Sequence, residues 1–104
     1  MKKSTVSNPN KPKAVLEIKN ISKVYELGDD KLTILKNISV SIHAGELVAI
    51  VGPSGSGKST LMHIMGLLDK QTSGKVILDG SDVSELNEEA LAKMRNQYIG
   101  FIFQ

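Results

Sequence analysis

The chain has 104 residues, 40% of them apolar and 23% charged, an ordinary balance for a globular domain and unlike that of a disordered or membrane-spanning chain. A chain this short removes only about two thirds of its unfolded surface from water, and no run reaches the roughly 18 apolar residues of a membrane helix. It has no cysteine, which excludes disulfides and thiolate metal sites, and its net charge of +2 rests on Lys2, Lys3, Lys11 and Lys13, the remainder holding nine basic against eleven acidic residues, so no basic face for nucleic acid is evident.

Met1 to Lys13 is built of Lys, Ser, Asn and Pro. Almost nothing in it can bury enough surface to offset the entropy of ordering, so residues 1–13 are expected as a disordered basic tail. The tail lacks the apolar stretch of a secretion signal; its functional alternative is a basic lure for anionic lipid. From Ala14 to Tyr25, Leu16 and Ile18 alternate with Glu17 and Lys19, the period of a half-buried strand, until the phase slips at Asn20, where a bulge is expected. After the turn signal Gly28-Asp29-Asp30, Ile38, Val40 and Ile42 alternate with Ser39, Ser41 and His43, predicting a second strand antiparallel to the first. His43, just before the turn Ala44-Gly45-Glu46, reads as a solvated residue rather than a ligand. Leu47 to Val51 is apolar at every position, as expected of a strand covered on both faces in a parallel sheet.

That strand leads into Gly52-Pro53-Ser54-Gly55-Ser56-Gly57-Lys58-Ser59-Thr60, which satisfies the spacing G-x-x-x-x-G-K-[ST]. Each residue type answers a need of a bound triphosphate. Gly52, Gly55 and Gly57 let the backbone pass close to phosphate oxygens, so that successive amides from Ser56 to Thr60, with Ser54 beside them, converge on an anion. A helix beginning near Lys58 adds its unpaired N-terminal N–H groups and the positive end of its dipole. Lys58 brings a point charge to the β- and γ-phosphates, the Ser59 hydroxyl suits the octahedral shell of Mg2+, and Thr60 is a second hydroxyl contact. The pattern therefore predicts a bound triphosphate together with Mg2+.

Beyond the loop, Leu61, Ile64, Met65 and Leu68 recur at helical spacing, with Met62 and His63 off the stripe. Turn chemistry follows over Asp69 to Gly74, a short strand over Lys75 to Leu78 and another turn at Asp79-Gly80. Asn87 is placed to cap a helix opening with Glu88 and Glu89 and running to about Asn96, and Ile99 to Phe103 reads as a further apolar strand.

From Val15 to Gln104 the chain resembles the first part of the ATP-binding cassette (ABC) of transporters. The runs Gly66-Leu67-Leu68-Asp69, Thr72-Ser73-Gly74, Asp79-Gly80 and Ile99-Gly100-Phe101-Ile102-Phe103-Gln104 are similar to the branch of lipoprotein-release and macrolide-export ATPases, from which Gln71 departs where proline is usual. The resemblance implies an α/β fold, with an antiparallel β layer and an incomplete parallel-sheet core, for residues 14–104 as the N-terminal portion of an ABC-type ATP-binding domain. It implies that Tyr25 stacks on adenine, local packing being the alternative. It also implies that Gln104 touches Mg2+ and the attacking water, a frayed end being the alternative. The implied partners are ATP, a transmembrane permease and a second ATP-binding domain, with no nucleic acid. The implied place is the cytoplasmic face of the cell membrane, as a peripheral subunit. The family's catalytic glutamate, signature loop and switch histidine belong to later segments, so the 104 residues alone are expected to lack hydrolysis. A catalytically inactive nucleotide-binding fragment, or another P-loop nucleotidase, is the competing reading; the guanine-reading pattern N-K-x-D is not met, since Asn10-Lys11-Pro12-Lys13 lacks its aspartate.

Overall fold

The computed structural model describes the backbone of residues 2–6 and, with side chains, residues 14–53 and 55–100. Two long strands dominate it: β2 (Ala14–Leu27) and β3 (Asp30–His43) pair antiparallel around a turn at Gly28-Asp29. The second strand of the sequence reading thus extends toward its N-terminal side to Asp30. β5 (Ser73–Leu78) joins the other edge of β2, and the two-residue β6 (Ser81–Asp82) follows it, giving the order β3-β2-β5-β6. Asp79 and Gly80 both have positive φ, 49° and 83°, as a two-residue hairpin matched to strand twist requires.

The phase slip at Asn20 is a bulge: Asn20 has φ 50°, the pairing shifts between Ile18 and Ile21, and it is Ile21 rather than Asn20 that turns inward. Gly74 crosses β2 at this point. A methyl group on Gly74 would lie 2.4 Å from the Asn20 carbonyl oxygen and 2.6 Å from the Ile21 Cα, so only glycine lets the backbones meet.

Helix α1 (Lys58–Met65) buries Leu61, Ile64 and Met65, while Met62 and His63 face water. Leu68 falls outside the helix and is exposed, because the chain turns at Leu67 with φ 61° and buries that side chain instead. Helix α2 (Glu88–Tyr98) starts where expected: the Asn87 side chain accepts from the Ala90 N–H at 2.8 Å. One core joins Ile18, Ile21, Leu35 and Val40 of the long strands to Val76 and Leu78 of β5, to the α1 side chains and Leu67, and to Leu91 of α2.

Three arrangements depart from the sequence reading. β4 (Leu47–Val51) is a strand, but it pairs antiparallel with β1 (Lys2–Val6), and every pairing among the described residues is antiparallel. Its apolar side chains are not covered on both faces: Leu47 is 72% and Val51 47% exposed. Second, Lys2–Val6, expected within a disordered tail, runs as β1; the composition argument weighs side-chain burial, whereas ladder pairing uses only the backbone, and an open edge of β4 offers it. Third, His43 is not simply solvated. Its N–H and its Nδ1 both face Glu46 Oε1, at 2.5 and 3.1 Å, and the Glu46 side chain is only 2% exposed. Ile99 and Gly100 are outside any strand, and Phe101 to Phe103 lie outside the described residues.

Candidate functional site

The loop between β4 and α1 forms a cradle by local chemistry. Gly55 and Gly57 take φ of 80° and 89°, the left-handed region that glycine enters without a Cβ penalty. Gly57 is the N-cap of α1, with no side chain capping the first turn, so the N-terminal amides of the helix keep their donor capacity. Its second role was not visible in the sequence pattern. A methyl group there would sit 2.9 Å from Leu35 Cδ2, 3.0 Å from the Ile34 carbonyl oxygen and 3.2 Å from Ile34 Cγ2, so the end of the cradle is seated directly on β3.

Gly55, Gly57, Lys58, Ser59 and Thr60 together line a concavity of about 360 Å3. Lys58 Nζ donates to the carbonyl of Gly52, which closes the loop into a ring. Ser56 Oγ is buried and has no hydrogen-bond partner among the described residues. An orphaned buried hydroxyl costs about 1–3 kcal/mol, so its presence beside uncapped helix amides fits an anion that would satisfy it. Among the described residues no group of three or more His, Cys, Asp or Glu could hold a metal ion, and the Ser59 hydroxyl lining the concavity is of a kind that fits a hard cation. Ser54 and Gln104 lie outside the described residues.

Tyr25 is not among the residues lining that concavity. It stands near the end of β2, 39% exposed, and its hydroxyl donates to Asp69 Oδ2 at 3.4 Å. Lys23, two residues earlier on the strand, lies 5.1 Å from the Tyr25 ring centroid and donates to Asp69 Oδ1 at 3.3 Å and to the Lys70 carbonyl at 2.5 Å. The segment after α1 is fastened along this part of β2: Thr72 N–H donates to the Ser22 carbonyl and Thr72 Oγ1 accepts from the Val24 N–H, at 2.8 and 2.9 Å. The cradle and the tyrosine thus flank opposite ends of α1, an eight-residue helix about 12 Å long. Lys23 carried no flag in the sequence and Asp69 only that of a turn residue closing the run Gly66-Leu67-Leu68-Asp69; the signal available for the pairing was that Lys23 and Tyr25, two apart, share one face of a strand.

A family model described as ABC transporter matches residues 35–104. The chain is 57% identical over 91 residues to the macrolide export ATP-binding/permease protein MacB of Salmonella typhimurium, a match covering 88% of this chain and 14% of that protein. It is 49% identical over 92 residues to an uncharacterized ABC transporter ATP-binding protein of Thermotoga maritima, covering 88% of this chain and 39% of that one. Among solved structures, it is similar to the dimeric post-hydrolysis state of the ATP-binding cassette MJ0796 bound to ADP and Pi, with TM-score 0.82 and 45% identity over 86% of this chain and 38% of that chain. The chain therefore spans well under half the length of these relatives.

Proposed function

The chain belongs to the ABC transporter family, and on that premise we propose that it is the phosphate-binding front of an ATP-binding domain that works with a membrane permease. The observation that carries the reading is the cradle: an uncapped α1 N-terminus begun by Gly57, lined by Lys58, Ser59 and Thr60, with the partnerless Ser56 hydroxyl beside it. Each residue has a task there. The amides of the loop and first helical turn hold phosphate oxygens, Lys58 exchanges its bond to the Gly52 carbonyl for the β- and γ-phosphates, and Ser59 offers its hydroxyl to the cation. Mg2+, when bound, supplies positive charge between the phosphates. Gln104 is assigned to the cation and attacking water, as the family pattern implies, and Tyr25 to adenine.

The relatives support the rest. MacB is an ATP-binding/permease protein and MJ0796 is dimeric, so a permease and a second ATP-binding domain are the proposed partners, with this domain peripheral to the cytoplasmic side of the cell membrane. Among the described residues no helix is long and apolar enough to cross a bilayer, and the proposed permease is either a separate subunit or a further domain. Equilibrium titration of the full-length protein with Mg-ATP tests the reading. Lys58→Ala removes a charge-assisted contact of about 1.5–3 kcal/mol, and ATP affinity or turnover should fall by about tenfold or more. Binding and hydrolysis equal to wild type would overturn it, and tighter binding of GTP than ATP would favour another P-loop nucleotidase.

A further inference from the structure

Asp69 is a hub outside the cradle. One carboxylate takes the Lys23 ammonium on Oδ1 and the Tyr25 hydroxyl on Oδ2, and Oδ1 also accepts from the Lys70 N–H at 2.8 Å. The Lys23 side chain is only 14% exposed, an unusual burial for an ammonium, which is rarely hidden unless paired. What it gains in return is the carboxylate, the Lys70 carbonyl and the face of the Tyr25 ring. Both contacts are long, 3.3 Å to the ammonium and 3.4 Å to the phenol, but the first joins opposite charges, so the main task left to Asp69 is to hold the ammonium in place.

We propose that Lys23 and Asp69 are positioning residues for a planar base on Tyr25: the anchored ammonium covers one face of the ring, fixing its orientation and leaving the other face as the single stacking platform. This rests on the reading that Tyr25 receives adenine. A cation on the inner face also draws ring electron density toward itself, which favours an electron-rich purine on the outer face. Because the Asp69 N–H donates to the His63 carbonyl in the last turn of α1, the platform is tied to the helix whose opposite end forms the cradle. Base and phosphates are then gripped at the two ends of one rigid element.

The test separates base from phosphate. With full-length protein, the affinities for ATP and for inorganic tripolyphosphate, which lacks a base, are measured for wild type, Lys23→Met, Lys23→Arg, Asp69→Asn and Tyr25→Ala. Stacking on an aromatic contributes about 1–3 kcal/mol per base, so Tyr25→Ala should weaken ATP by about fivefold or more. Lys23→Met, which keeps the apolar stem, and Asp69→Asn should weaken ATP by about three- to tenfold and leave tripolyphosphate unchanged, while Lys23→Arg restores ATP binding. If Tyr25→Ala weakens ATP and the Lys23 and Asp69 variants do not, the proposal fails and the stacking reading stands. If Tyr25→Ala binds ATP like wild type, the stacking reading fails and takes the proposal with it. An equal loss for ATP and tripolyphosphate would assign the two residues to scaffolding of α1 instead, and also overturns the proposal.

Discussion

Replacing Gly57 by alanine should damage stability and binding together, and the structure gives the size of the effect. Alanine in the left-handed region costs about 1–2 kcal/mol. The new methyl would also press on Leu35 Cδ2 at 2.9 Å and on the Ile34 carbonyl oxygen at 3.0 Å. Leu35 is buried in the core, and overpacking of this kind costs about 1–3 kcal/mol more. The total is about 2–5 kcal/mol. Gly55→Ala is the internal control: its φ of 80° is similar, but none of the described residues lies within 4 Å of the added methyl, so the backbone strain is what remains. Urea unfolding of the two variants, followed by circular dichroism, should therefore differ by about 1–3 kcal/mol, with Gly57→Ala the weaker and its ATP affinity also reduced. Equal midpoints for the two variants would refute the claim that the cradle is seated on β3.

Two further outcomes are expected. The Ser84 hydroxyl, helped by the Ser84 N–H, holds the Asp82 carboxyl below its usual range; a carboxyl depressed in the fold adds stability above its unfolded pKa and loses it as pH falls through the folded one. Asp82→Asn should accordingly flatten the decline of stability below about pH 4, and urea midpoints at several acid pH values that run parallel to wild type would contradict this. Residues 1–104 expressed alone should associate and show no ATP turnover above background, since Leu47 and Val51 of β4 are exposed and an apolar concavity of about 630 Å3 opens between Val15, Ile42, Met62, Met65 and Tyr98. A monodisperse monomer by sedimentation, hydrolysing ATP, would show that neither surface needs covering.

The parts of this fold that were legible in the sequence are those whose chemistry is local. The spacing of Gly52, Gly57, Lys58 and Ser59 encodes the cradle because turn, helix start and side-chain donors are neighbours in the chain. The Asn87 cap and the Asn20 bulge were visible for the same reason. What could not be read depends on distant segments meeting. Gly74 looked like one more turn residue until Asn20 appeared beneath it, and Asp69 looked like a loop residue until Lys23 and Tyr25 were brought to it from β2. β4 misled for a different reason: an apolar run reports that its faces are suited to cover, not which segments supply it, and here its ladder partner is β1. The His43–Glu46 pair was hidden because the carboxylate bends back across the turn and is buried there.

The seating of Gly57 on Ile34 and Leu35 also sets an order of assembly. β2 and β3 meet across a two-residue turn, and such hairpins close in about 1–10 μs with little loop entropy to overcome. The cradle cannot be finished that early, because Gly57 needs both β3 in place and α1 docked against the sheet. Amide-exchange labelling during refolding should find β2 and β3 protected before the first turn of α1, and the reverse order would exclude this sequence of events. A phosphate ligand that binds only the finished cradle then stabilises everything formed before it, by an amount set by its concentration relative to its dissociation constant. On the proposed reading, nucleotide concentration would thereby raise the stability of the fold as well as fill the cradle.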